Sequence, residues 1–194
     1  MKIAIISDIH NNEVNLKKVL DYLRREKIAT IICCGDLASQ ETLDFLNDNF
    51  SGVIHYTFGN MDNDQLTSFT CHPERSRELI HGEVEGSNSI RFLDKLGTTC
   101  VYKNTVVYKN FGETEIAGKQ IAFVHYPEVA KKLCAVGKYA FVFYGHTHKP
   151  WEETIGDCKM LNPGNVAGEL FLPTFAVWET KDDKFELIRI HALP

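Results

Sequence analysis

A chain of 194 residues, 44% hydrophobic and 24% charged, has the size and make-up of one globular domain, which excludes disordered, collagenous and fibrous classes. The net charge of -5 argues against tight, sequence-independent gripping of long nucleic acid, which needs a basic face. A nucleotide or short nucleic acid stays open, because bound metal ions can supply positive charge locally. No apolar stretch approaches the length of a membrane span, and the apolar start, Met1 to Ile6, is too short for a signal-peptide core and runs into Asp8. Six cysteines (Cys33, Cys34, Cys71, Cys100, Cys134, Cys158) contain no C-x-x-C pair. They read as reduced thiols of a cytoplasmic protein, some buried as small hydrophobes.

In chain order, Ile3 to Ser7 is a short continuous apolar segment, the pattern of a strand buried on both faces. Glu13 to Lys27 sets Val14, Leu16, Val19, Leu20 and Leu23 at helical spacing, and Asp8 is a candidate to cap that helix. Ile28 to Cys34 is a second buried strand, Glu41 to Asn49 a shorter helix carrying Leu43, Phe45 and Leu46, and Gly52 to Phe58 a third strand. This alternation predicts βαβ units with right-handed crossovers in a largely parallel sheet.

Thr67 to Thr99 breaks the pattern, being polar and aperiodic until Ser89 to Leu96, which reads as one helix. We expect an insertion or lid there, at about residues 67–99, within a single domain spanning 1–194. Its opening, Cys71-His72-Pro73-Glu74-Arg75-Ser76-Arg77, resembles the "HPERS" peptides encoded by bacterial interspersed DNA repeats, the mark of an acquired segment. Beyond it, Thr105 to Tyr108 and Gln120 to Tyr126 read as strands, with turns at Asn110-Phe111-Gly112 and Ala117-Gly118-Lys119. Glu128 to Gly137 is a helix and Tyr139 to Tyr144 an apolar strand. Thr174 to Thr180 and Lys184 to His191 alternate around Lys181-Asp182-Asp183 as a hairpin. The expected fold class is α/β: two mixed β-sheets packed face to face as a sandwich flanked by helices.

Each strong polar signal sits just after an apolar strand. Asp8 and His10 follow the first, Gly35-Asp36 the second and Gly59-Asn60-Met61-Asp62 the third; His125 ends a fourth, and Gly145-His146-Thr147-His148 follows a fifth. Ligands of open α/β sheets bind in the crevice beyond the carboxyl ends of the strands, so five segments would deliver their side chains to one edge. Asp8, Asp36, His10, His125, His146, His148 and Asn60 form an oxygen and nitrogen ligand set without thiolates, suited to Mn²⁺, Fe²⁺, Zn²⁺ or Mg²⁺. Seven ligands exceed one site's needs and fit two ions about 3.5–4 Å apart that share a carboxylate. Alternation along an extended strand would aim both members of Asp8-x-His10 and His146-x-His148 the same way. The glycines before Asp36, Asn60 and His146 would let the chain turn sharply. His55, His72, His81 and His191 read as satisfied or surface histidines.

Asp8-x-His10, Gly35-Asp36, Gly59-Asn60-x-Asp62, His125 and Gly145-His146-x-His148 together resemble the five motifs of the calcineurin-like metallophosphoesterase superfamily. Size and spacing are most similar to its compact prokaryotic phosphodiesterase branch, and Asn162-Pro163-Gly164 is similar to a later landmark there. The resemblance implies a four-layer sandwich holding two divalent ions, Mn²⁺ first, with Fe²⁺, Zn²⁺, Ni²⁺ and Mg²⁺ as alternatives. Asp8, His10, Asp36 and His148 would hold one ion, with Asp36 bridging, and Asn60, His125 and His146 would complete the second. Asp36, Asn60, Asp62 and His125 would carry catalysis, with Asp62 orienting a ligand or the nucleophile. A bridging hydroxide would attack phosphorus in line while the ions stabilise the equatorial oxygens.

Two departures stand out. Met61 occupies the place of a proton-donating histidine, and Tyr126 follows His125 where a glycine is common. The expected activity is a cytoplasmic phosphodiesterase acting on a small phosphodiester or nucleotide, with neither a membrane nor long nucleic acid as partner; homo-oligomerisation is left open. Two other readings differ in class. A metal-poor protein-binding scaffold, as in a retromer subunit of the same superfamily, would bind no metal; a nuclease would bind long nucleic acid in a salt-dependent way.

Overall fold

Three parallel strands, β1 (Lys2–Ile6), β2 (Thr30–Cys33) and β3 (Val53–Thr57), are joined by helices α1 (Glu13–Arg25) and α2 (Gln40–Asn49), as the alternation predicts. The computed structural model describes residues 1–62, 91–92 and 99–194. The sheet continues through β4 (Arg91–Phe92), β5 (Thr99–Tyr102) and β6 (Thr105–Tyr108) on one side, and through β12 (Thr174–Glu179) and β13 (Lys184–Arg189) on the other. Its eight strands run in the order β13-β12-β1-β2-β3-β6-β5-β4, with β6 parallel to β3 and β12 antiparallel to β1. The second sheet holds β7 (Gly112–Ile116), β8 (Lys119–Phe123), β9 (Phe141–Phe143), β10 (Trp151–Ile155) and β11 (Cys158–Asn162) in the order β10-β11-β9-β8-β7. Its three middle strands are parallel and its edges antiparallel, so both sheets are mixed. Helix α3 (Pro127–Ala135) connects β8 to β9.

Alternation within the apolar runs explains the layers. On β1, Ile3 and Ile5 face the second sheet, where they cluster with its Phe123, Phe141 and Phe143 and with Trp178 of the neighbouring strand β12, while Ala4 and Ile6 face α1 and α2. Both faces are therefore buried, which is why the run carries no polar residue. From α1 come Leu16, Val19, Leu20 and Leu23, and from α2 Leu43 and Leu46. A third cluster packs Ala130 and Cys134 of α3 on Ala122, Val142 and Met160 of the second sheet. Three apolar interfaces thus separate four layers: helices, sheet, sheet, helix. Each fully buried Ile or Phe contributes about 1.5–3 kcal/mol.

Several expectations need correction. Asn12 caps α1, its side chain accepting from the Asn15 amide at 3.0 Å, so Asp8 is free for another task. Val14 is exposed, on the solvent face of α1. Strands β5, β7, β10 and β11 had not been expected. Edge strands β7 and β10 carry exposed Glu113, Glu115 and Glu152 and half-buried Glu153, a composition that blunts a sheet edge and hides the strand signal. Cys134 and Cys158 form a disulfide, not two thiols, because α3 packs on β11 and brings their Cα atoms to 5.4 Å; a separation of 24 residues carried no sign of it. Cys33 and Cys34 are buried thiols. Within Ser89 to Leu96, Arg91–Phe92 is a strand rather than helix, paired with β5. The rest of that segment, the Cys71 to Arg77 peptide, His72 and His81 lie outside the described residues. His55 is half-buried against the Tyr108 hydroxyl at 3.1 Å, a satisfied histidine as expected, and His191 is exposed.

Candidate metal centre

The carboxyl ends of β1, β2, β3, β8 and β9 open on one edge of the sandwich, and all seven expected ligands gather there. Asp8, His10 and His148 present ligand atoms within 4.8 Å of one another, and so do Asp8, Asp36 and His125. Asp36 Oδ2 lies 3.6 Å from His10 Nε2 and 3.3 Å from His125 Nε2, between the imidazoles of the two groups. His148 Nε2 is 3.4 Å from Asp8 Oδ1. Beside them, Asn60 Oδ1 lies 2.9 Å from His125 Nε2 and 2.8 Å from His146 Nδ1. Asp8, Asp36, His125 and His148 are buried, whereas Asn60 and His146 are exposed, so the centre opens to solvent on their side.

Strand alternation does not aim these groups. Asp8, His10, Asp36, His146 and His148 all have positive φ, between 46° and 70°, in loops beyond their strands. Asp and His enter this region more readily than most residues, at a cost of order 1–3 kcal/mol each, and the surroundings enforce it. The amide of Asp8 donates to Gly35 O at 3.1 Å, and those of Ile9 and His10 donate to Asp36 O at 2.8 and 3.0 Å. The first two loops therefore hold each other. At Gly59 and Gly145 space matters more than torsion: a Cβ at Gly59 would strike the Asp36 carboxylate, and one at Gly145 would strike Ser7 Oγ.

Asp62 is buried, and backbone amides occupy its carboxylate. Oδ2 accepts from Asp36 N at 3.0 Å and Gly59 N at 2.6 Å, and Oδ1 accepts from Ala38 N at 2.9 Å. It ties the β2 loop to the β3 loop. Burial is the main cause that raises its pKa, against the Gly59 and Ala38 amides, which pull it down. For Asp36, burial pushes the carboxyl up, but His125, the Met61 N–H at 2.7 Å and His10 outweigh it and hold it below the ordinary range. His10 is raised chiefly by the neighbouring Asp8 carboxylate. For His125, burial acts downward, yet the Asp36 carboxylate prevails and raises it.

Asn165 is a residue that motif reading missed. Its Nδ2 donates to His148 O at 3.1 Å, while its Oδ1 accepts from Gly168 N and Glu169 N. Asn162 Nδ2 donates to Gly145 O at 2.9 Å, and its Oδ1 accepts from Gly164 N at 2.8 Å. These two asparagines brace the His146-x-His148 loop; only the adjacency of Asn165 to Asn162-Pro163-Gly164 could have flagged the second.

The donor set fits divalent metal. His10 Nε2 is buried without a hydrogen-bond partner, 3.6 Å from Asp36 and 3.9 Å from Asp8. That is too long for hydrogen bonds, but such a gap suits ligands that each stand about 2.0–2.2 Å from a shared ion.

Fold and site together define a metallophosphoesterase-type centre. Residues 1–183 match the model of the calcineurin-like phosphoesterase superfamily domain, and the chain belongs to that family. It is 26% identical over 189 residues to a phosphodiesterase of Methanocaldococcus jannaschii, covering 97% of this chain and 98% of that one. A solved archaeal phosphodiesterase superposes with a TM-score of 0.73 at 25% identity, over 97% of this chain and 99% of that one. A Zn²⁺ complex of Vps29 from Entamoeba histolytica shares the fold, with a TM-score of 0.58 at 18% identity over 98% and 99% of the two chains.

Proposed function

We propose that the chain is a divalent-metal-dependent phosphodiesterase acting on a small phosphodiester or nucleotide, with Mn²⁺ the first candidate metal. The observation that carries it is His10 Nε2, a buried nitrogen left without a hydrogen-bond partner between two carboxylates at the mouth of five strands. Asp8, His10, Asp36 and His148 would hold one ion, and Asn60, His125 and His146, with Asp36 shared, the second. When bound, the ions would offset phosphate charge and activate a water for attack on phosphorus.

The protein's own groups do the positioning. Met61 N–H fixes one oxygen of Asp36 and leaves the other between His10 and His125. His125 Nδ1 donates to Cys34 O at 2.9 Å, which leaves Nε2 as its lone-pair side. Exposed Asn60 and His146 form the side over which a phosphate would approach, and Asp62 keeps both loops in register. A cytoplasmic site of action and an inserted segment within about 67–99, apart from the Arg91–Phe92 strand, belong to the same proposal.

The test uses bis(4-nitrophenyl) phosphate with chelated protein, then with Mn²⁺, Fe²⁺, Zn²⁺, Ni²⁺ or Mg²⁺ restored, alongside metal analysis. Turnover should vanish on chelation and return with metal, at two ions per chain. Asp36→Asn should cost more than the about 10–100-fold typical for a residue that only supports a ligand. Undiminished turnover by metal-free protein would falsify the reading.

A further inference from the structure

Beside the exposed side of the centre stand two apolar side chains, Met61 and Tyr126, exposed by 51% and 40%. Each is the chain neighbour of one of two groups in contact, Asn60 and His125, so both flank the place where a phosphate ester would sit. Single exposed hydrophobics are ordinary. What sets Tyr126 apart is its fixing. Its carbonyl accepts from Ala130 N at 3.0 Å in the first turn of α3, and Pro127 at the helix start restrains the chain. Its ring centroid lies 5.1 Å from those of both His125 and His146, at interplanar angles of 81° and 60°. Both contacts are T-shaped and not parallel stacks. An exposed aromatic ring at a phosphoester site is suited to a flat partner and offers little to a small alkyl or polyol group.

We propose that Tyr126 is a specificity-determining residue that stacks on a planar aromatic group on the retained, non-leaving ester of the phosphodiester, so that the substrate class is phosphodiesters whose retained group is aryl or nucleoside. This rests on the phosphodiesterase reading, and the experiment separates the two. Methyl, phenyl and thymidine-5′ esters of 4-nitrophenyl phosphate share one leaving group and differ only in the retained group. For the wild type, kcat/KM should be about tenfold higher for the phenyl or thymidine ester than for the methyl ester, the size of effect expected of one stacking contact, and should be carried by KM. Tyr126→Ala should level the three substrates, while Tyr126→Phe, which keeps the ring and loses the hydroxyl, should restore the preference. Preference for thymidine over phenyl identifies the nucleoside as the source of the ring; equal rates identify the ring alone. Calorimetric binding of thymidine 5′-monophosphate against methyl phosphate should show the same order and the same dependence on the two variants. Equal kcat/KM for the three esters in the wild type, levelling by Tyr126→Phe as well as by Tyr126→Ala, or a preference that survives Tyr126→Ala, overturns the inference. Failure to turn over any of the three esters in the metal-loaded wild type overturns instead the phosphodiesterase reading.

Discussion

Left-handed backbone at Asp8, His10, Asp36, His146 and His148 concentrates strain at the centre, and hydrogen bonds from buried polar groups hold it there. Asp62 is the clearest case. Asp62→Asn keeps the shape but puts an amide NH₂ where an oxygen accepts, setting donor against donor. Each buried amide left unpaired costs about 1–3 kcal/mol, so the variant should lose thermal stability and metal affinity together, measured by calorimetric unfolding with and without Mn²⁺. Unchanged affinity alongside lost stability would show that the tie supports the fold and not the ligands. Met61 poses a different question, because its amide holds Asp36 while its thioether is exposed and cannot donate a proton. A positioned acid typically contributes 10²–10⁴-fold where the leaving group is poor. Met61→His keeps the amide, so it should raise kcat/KM selectively on alkyl esters and hardly change it on nitrophenyl esters. A rate profile against leaving-group pKa that is flat in the wild type would mean that another group already supplies the proton.

At the scale of elements, β3 carries a pH-sensitive contact between the sheets. His55 packs on Tyr108 and edge-on to Phe123, ring centroids 6.0 Å apart, and burial lowers its pKa below 6.5. The folded state therefore favours the neutral ring. Above about pH 6.5 the ring is neutral whether the chain is folded or not, and His55 imposes no penalty. As pH falls through that value the unfolded chain takes up a proton that the folded chain resists, and stability drops until the lower folded pKa is passed. His55→Phe should shrink the fall in urea midpoint between pH 7 and pH 5; an identical fall would place the acid sensitivity elsewhere. The elements also differ in how plainly the sequence shows them. β1, β2 and β9 are built on apolar runs because both faces are covered, whereas β7 alternates with exposed glutamates and β10 carries two adjacent ones at the opposite sheet edge. Nothing local marks such a segment as strand until a neighbour supplies its hydrogen bonds.

For the molecule as a whole, β4 pairs with β5 at the edge of the larger sheet, so part of the expected insertion belongs to the sandwich. Excision should therefore stop short of Arg91. Joining 66 to 90 through a short Gly-Ser turn should leave one cooperative unfolding transition and unchanged metal stoichiometry, because loop-closure entropy changes slowly with length. Loss of the cooperative transition would show that a core element had been removed.

What the sequence by itself determined is the fold class, the family and the set of candidate ligand residues. Strands buried on both faces must be apolar and the candidate ligands are polar Asp, His and Asn, so the runs and the polar residues that follow them are visible one segment at a time. Only the tertiary structure decided how the ligands converge, through left-handed loops that brace one another and not through strand alternation. It also decided that Asp62 ties two loops, that Asn165 braces a third, and that Cys134 meets Cys158. The reason is physical: composition and periodicity record what a residue must bury, whereas a hydrogen bond or a disulfide between distant segments leaves no local trace.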